Sequence, residues 1–161
     1  MRVVVYLETS FLSACVTDRT DPASVYRREL SREWWSVQAR RYDLFISAEV
    51  VAELSHADYP CREAALEFIA ALPLLPVTDE VRGLAELLVR EKVMPAPVAG
   101  DALHVAVATV HETDYMLSWN VRHLANPSKT AHLRRICLRA GMTPPQIVTP
   151  ELLWEEDDEP A

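Results

Sequence analysis

The sequence predicts an α/β domain with a mostly parallel central sheet. Short, β-branched apolar runs alternate along the chain with segments of helical periodicity, the pattern of strands joined by helical crossovers. The first run, Val3–Leu7, has no charged position, as a strand buried on both faces requires. Residues suited to chemistry fall just after such runs, at the strand ends where open α/β sheets form their sites.

Each element follows in order. Beyond the first strand, Thr9 or Ser10 is expected to cap a helix over 11–16, and Asp21-Pro22 suits the start of a second. Val25, Leu30, Trp34 and Val37 space that second helix to about residue 41. Leu44-Phe45-Ile46 reads as a short strand, and Ser47 as the N-cap of a helix carrying Glu49 and Glu53. A helix over 61–72 lies between Pro60 and Pro73, and an edge strand over 74–77 contains Pro76. Thr78 caps a helix over 79–92, and a further helix is expected over 98–111. A strand over 115–118 precedes a basic helix over 129–140 that Gly141 ends. A last strand over 146–149 and a helical turn over 150–154 complete the pattern.

With 161 residues, half of them hydrophobic, the chain is expected to form one domain over 1–154. Residues 155–161 form an acidic tail. No apolar run reaches the roughly 18 residues that span a bilayer, and no secretory layout precedes Glu8, so a cytoplasmic location and no membrane partner are expected. Cys15, Cys61 and Cys137 show neither a disulfide framework nor metal spacing and read as small apolar residues. Only three glycines occur, and no phosphate-binding glycine loop is among the motifs. The net charge of -8 argues against a nucleic-acid partner less than it first suggests. Five acids sit in Glu155-Glu156-Asp157-Asp158-Glu159, while basic residues gather in Arg27-Arg28, in Arg40-Arg41 and from Arg122 to Arg139.

Three carboxylates stand in apolar settings. Glu8 ends the first strand, Glu53 lies within Val50-Val51-Ala52-Glu53-Leu54, and Asp101 opens an almost wholly apolar helix. An isolated buried carboxylate costs several kcal/mol unless it is paired, protonated or bound to a metal. Each has a plainer alternative: Glu8 as a wet strand-end acid or helix cap, Glu53 on an exposed helix face, Asp101 satisfied by a helix N-terminus. Together they suit Mg²⁺ or Mn²⁺, which take oxygen ligands and often bind substrate phosphate as well. Asn120, after Leu117-Ser118-Trp119, is a candidate fourth member or else a turn residue. Glu49 is explained by the first turn of its helix. His104 is expected to be a hydrogen-bonded core residue before a site residue, and His123 and His132 are expected on the surface or facing RNA rather than as zinc ligands. Ser10 and Ser118 lack a nucleophile setting. Trp34-Trp35 reads as core or dimer contact before a base-stacking platform.

In this order these residues resemble a PIN-domain nuclease, most closely the VapC-like toxins of toxin–antitoxin pairs. Tyr6-Leu7-Glu8-Thr9-Ser10 is similar to the opening motif, 47–54 to the helix of the second acid at Glu53, and Asp101-Ala102-Leu103-His104-Val105-Ala106 to the third-acid helix. Tyr115-Met116-Leu117-Ser118-Trp119-Asn120 resembles the fourth-acid strand, and Ile147-Val148-Thr149-Pro150-Glu151-Leu152-Leu153 the closing segment. The resemblance implies a three-layer α/β/α fold and Mg²⁺- or Mn²⁺-dependent cleavage of RNA. It implies metal ligation by Glu8, Asp101 and Glu53, help from Asn120, and a supporting hydrogen bond from Ser10. Arg122, Lys129 and Arg135 would border the RNA groove, and a small antitoxin and a homodimer are the expected partners. Two positions depart from the family: Glu8 stands for the usual Asp, and Asn120 for the usual acid. They support an alternative expectation, a PIN-fold protein binding RNA or protein with weak or lost catalysis. A phosphoryl-transfer enzyme acting on a small substrate is a more distant reading.

Overall fold

A computed structural model describes residues 2–156, so the expected acidic tail lies outside the described residues from Asp157 onward. Five strands form one parallel sheet: β1 (Val3–Leu7), β2 (Tyr42–Ser47), β3 (Leu74–Leu75), β4 (Tyr115–Leu117) and β5 (Gln146–Val148), in the order β3-β2-β1-β4-β5. The joining helices are α1 (Thr9–Val16), α2 (Pro22–Val37), α3 (Ala48–Leu54), α4 (Arg62–Ile69), α5 (Asp79–Arg90), α6 (Asp101–Val110) and α7 (Pro127–Arg139). Parallel neighbours require crossovers, and helices layered on a parallel sheet give the expected three-layer α/β/α arrangement.

Register follows from the apolar runs. Val5 lies opposite Leu44 of β2 and Tyr115 of β4, and Leu7 opposite Leu117. Val5, Tyr6, Leu7, Met116 and Leu117 are fully buried, so β1 and β4 form the floor of the core. The chain builds outward from β1 to β3, then returns through α5 and α6 to β4. Strand order therefore reverses between β1 and β4, and the crevice that opens there lies at their carboxyl ends.

Several boundaries differ from the sequence expectation for local reasons. Neither Thr9 nor Ser10 caps α1; the Glu8 carboxylate does so, accepting the Ser10 N–H. Ser47 has extended N-cap backbone but caps nothing with its side chain, because its hydroxyl meets the Tyr6 hydroxyl at 2.7 Å. The helix expected from residue 98 starts at Asp101, since Gly100 has φ +107, which no helix accepts. The basic helix starts two residues early because Asn126 caps it, with Pro127 in its first turn. Asp21, Thr78 and Gly141 act at their helix ends as expected.

Trp34 joins α2 to the amino side of the sheet. It is fully buried, stacks on Tyr42 at 5.7 Å, meets Phe11 edge-on at 5.4 Å and donates its indole N–H to the Leu153 carbonyl at 2.7 Å. Trp35 is half-buried against Phe68. Both are packing residues. Cys15 and Cys137 are buried, and burial pushes their thiols up to about 12 and about 11. Both therefore stay protonated, apolar filler. No described helix is long and apolar enough to cross a membrane. Replacing Trp34 by Ala leaves a large cavity and an unpaired Leu153 carbonyl. Urea unfolding is expected to show a loss of about 3–5 kcal/mol.

Candidate active site

The site is built where β1 and β4 end. Glu8 follows β1 directly and is 5 % exposed. Its Oε2 accepts from the Ser10 N–H at 2.9 Å, from the Ser118 hydroxyl at 2.9 Å and from the Ser10 hydroxyl. Each serine also accepts a backbone amide from the β4 side: Trp119 N–H to Ser10 Oγ at 2.8 Å, and Asn120 N–H to Ser118 Oγ at 3.0 Å. Two hydroxyls thus pin the loop after β4 to the carboxylate after β1. All three bonds fall on Oε2, so Oε1 is the Glu8 oxygen left to face other groups.

His104, fully buried on α6, is the hub of the site. Its Nδ1 lies 2.6 Å from the Tyr6 hydroxyl, and its Nε2 meets Glu53 Oε1. Thr9 Oγ1 donates to the same Glu53 oxygen at 3.1 Å. The chain Ser47–Tyr6–His104–Glu53 is satisfied in both protonation states. With a neutral ring carrying its proton on Nε2, Ser47 donates to Tyr6 and Tyr6 donates to Nδ1. With a charged ring, Nδ1–H donates to Tyr6, and Tyr6 donates to Ser47. Burial opposes a charge on His104, but the hydrogen bond to Glu53 and the negative charges of Glu8, Glu53 and Glu49 prevail, raising its pKa.

Asp101 begins α6, and its Oδ2 is 3.5 Å from Asn120 Nδ2. Asn120 is oriented in turn by the His123 N–H, which donates to its Oδ1 at 3.1 Å. Burial raises the Asp101 carboxyl and Glu53 adds to the effect, while His104, His123 and Lys129 act against it. Glu8 is likewise raised by burial, with His104 and the serine hydrogen bonds opposing. Glu49, half-buried one turn before Glu53 on α3, is raised by burial and by the Glu53 charge. Four carboxylates therefore share the field of one imidazole.

The structure thus brings Glu8, Glu53 and Asp101 around His104 and joins Asn120 to Asp101. Ser10 bonds directly to Glu8. Lys129 lies within the field of Asp101, and Arg122 is exposed in the loop after Asn120. Arg135 is exposed further along α7, six residues on and so on a different face from Lys129. The sequence suggests helix-capping roles for Thr9 and Ser47, a first-turn role for Glu49 and no chemical role for Ser118, and it does not single out Tyr6. The signal for Tyr6 was its hydroxyl inside an otherwise hydroxyl-free buried strand, since such a group needs a partner.

Donor chemistry decides whether a divalent cation suits these residues. The groups that converge offer carboxylate oxygens, as Mg²⁺ and Mn²⁺ prefer, while the Asn120 amide turns its nitrogen to Asp101 and its oxygen to the His123 N–H. Among the described residues no three His, Cys, Asp or Glu side chains form a ready-made cage. Mg²⁺ does not need one, because one or two carboxylates with water and substrate phosphate are its usual protein ligation. Glu8 and Asp101 fit that demand, and so does Glu53, whose contacts with His104 and Thr9 both fall on Oε1.

No family model matches the chain, and no curated protein matches it by sequence. Solved structures do resemble it. Mycobacterium tuberculosis VapC20, a toxin that cleaves the sarcin-ricin loop, superposes with a TM-score of 0.57 at 18% identity, covering 80% of this chain and 94% of that one. VapBC2 from Rickettsia felis, bound to a promoter DNA fragment, gives 0.59 at 14% identity over 95% of this chain and 100% of that one. FitAcB from Neisseria gonorrhoeae gives 0.58 at 16% identity over 93% and 100%. The chain has the PIN-like fold of the VapC toxins. In this PIN-like fold the carboxylates lie at the reversal of strand order, the crevice the topology opens for a ligand.

His104 is expected to titrate above its ordinary 6.5 in ring-proton NMR, with a lower midpoint in Glu53→Gln. A midpoint unmoved by that change would dissociate the ring from Glu53. The raised values of His104, Glu8 and Asp101 act in one direction on stability. Each contribution is full below the group's unfolded-state pKa and is lost as pH rises through the folded value. At fixed salt, the urea midpoint should therefore fall as pH rises from the carboxylate range past neutrality, and Glu8→Gln should flatten the lower part of that decline.

Proposed function

We propose that this chain is an endoribonuclease that cleaves RNA phosphodiester bonds with Mg²⁺ or Mn²⁺, as the toxin of a toxin–antitoxin pair. The observation that carries the reading is the gathering of Glu8, Glu53 and Asp101 around His104 at the strand-order reversal. The PIN-like fold shared with VapC20, a sarcin-ricin loop cleaving toxin, supports it.

Glu8 Oε1 and Asp101 would hold the cation. When bound, it supplies polarisation of a phosphoryl oxygen and neutralises developing charge. Glu53, fixed by His104 and Thr9, would accept a hydrogen bond from the attacking water and orient it. Asn120 Nδ2 would offer a neutral donor to a phosphate oxygen in place of Asp101. Arg122 and Lys129 would contact neighbouring phosphates, which position the strand without reading its bases. Arg135 would serve only an RNA that wraps further along α7.

Restraint of such a nuclease by a small antitoxin is part of the proposal, supported by structures solved as VapBC assemblies. So is pairing of two copies, which ultracentrifugation tests. A second reading, an RNA- or protein-binding module without catalysis, draws on the engagement of Glu53 by His104 and of Glu8 Oε2 by three donors. Mn²⁺ calorimetry separates the two: binding that is lost in Asp101→Asn favours the enzyme.

Asp101→Asn is expected to lower Mn²⁺-dependent cleavage of single-stranded RNA by about 10²-fold or more while the fold is kept. Unchanged cleavage by the variant, after removal of contaminating nuclease, would reject the assigned site.

A further inference from the structure

The basic pair Arg27-Arg28 on α2 divides into two roles. Arg28 donates to the carbonyls of Thr17 and Arg19 at 3.0 and 3.1 Å and so closes the end of α1. Arg27 remains exposed, with its guanidinium 5.3 Å above the ring of Trp119. Tyr26, its neighbour, meets the same indole edge-on at 6.4 Å and is 52% exposed. Its hydroxyl donates to Glu151 Oε2 at 2.9 Å, which fixes the direction of the ring.

Helix α2 runs from the carboxyl edge of the sheet to its amino edge. Tyr26 near its start touches Trp119 just beyond β4, whereas Trp34 near its end stacks on Tyr42 where β2 begins. The Tyr26–Arg27 pair therefore stands at the same edge as the carboxylates. Trp119 links the two places firmly: its indole N–H donates to the buried Ser31 hydroxyl at 2.8 Å, and its backbone N–H donates to Ser10 Oγ, which itself bonds Glu8. Asn120 is the next residue.

We propose that Tyr26 and Arg27, on the fixed base of Trp119, form the surface on which a nucleobase of single-stranded RNA stacks beside the cleaved phosphate. A half-exposed aromatic held at its hydroxyl, beside an exposed cation resting on an indole, is what such a strand requires, because every base has a π-face and a neighbouring phosphate. Arg27 can lie over a base or take a phosphate without leaving the Trp119 edge. Arg122, three residues beyond Trp119, and Lys129 near Asp101 then supply further phosphate contacts. The surface rests on the RNA-cleavage reading and adds which residues position the substrate.

The test is anisotropy of a short labelled single-stranded RNA with the full chain in EDTA, where cleavage does not intervene. Tyr26→Ala is expected to weaken binding about five-fold or more, with an unchanged unfolding midpoint, while Tyr26→Phe, which keeps the ring but loses the bond to Glu151, falls between Tyr26→Ala and the parent. Arg27→Ala should weaken binding and lower the slope of log affinity against log salt by about one. Parental affinity in Tyr26→Ala, with RNA still bound by the parent, would overturn the stacking surface and leave the nuclease reading standing. No RNA binding by the parent chain would end both. A duplex competing as well as the single strand would overturn stacking in favour of charge alone. Altered self-association of Tyr26→Ala in ultracentrifugation, with RNA affinity unchanged, would assign the surface to protein contact and also overturn it.

Discussion

Carboxylates can share a buried pocket only where protons, hydrogen-bond donors or cations offset their repulsion, and here the offset runs through His104. The imidazole is fully buried, yet its pKa is raised, because Glu53 bonds to it and Glu8 and Glu49 add their fields. Removing the ring would leave Glu53 with only the Thr9 hydroxyl and would turn the Tyr6 hydroxyl toward Ser47 alone. The acids, the ring and the strand hydroxyl therefore form one interdependent group. Its members come from β1, α3 and α6, so the same group ties three parts of the chain together.

Topology explains why these elements meet. The return through α5 and α6 places β4 against β1, and α6 delivers both Asp101 and His104 to the open crevice. Ser10 and Ser118 then close the gap between the two strand ends. Each gives its proton to Glu8 and takes an amide of the loop that carries Trp119 and Asn120. A register slip of one residue between β1 and β4 would break the two bonds that cross between the strand ends, Ser118 to Glu8 and Trp119 N–H to Ser10, so pairing and site geometry depend on each other.

How much could be read in advance follows from range. Val3–Leu7 announced a buried strand because every side chain in it demands burial, and Asp21-Pro22 announced a helix start because capping and a fixed φ act within a few residues. Glu8 and Asp101 stood out because an acid next to apolar runs conflicts with its surroundings. Neither signal says which distant group resolves the conflict. His104 looked like a core histidine, and it is one by burial; that its two nitrogens face Tyr6 and Glu53 depends on contacts 98 and 51 residues apart in sequence. Ser47 misled for the same reason, since its local role as a cap lost to a hydroxyl 41 residues away.

Asn120 gives the site two unlike sides. An aspartate there would place a second carboxylate at the 3.5 Å contact now made to Asp101, raising the pKa of both acids. The amide instead turns a donor toward Asp101 and accepts the His123 N–H. One negative charge fewer lowers the attraction for a divalent cation. It also leaves a donor where an anionic phosphate would otherwise meet a like charge. Under the proposed nuclease reading, a phosphodiester at Asp101 would then meet carboxylates on one hand and the Asn120 amide donor on the other. That division suits a substrate whose oxygens must face a cation and a protein donor together.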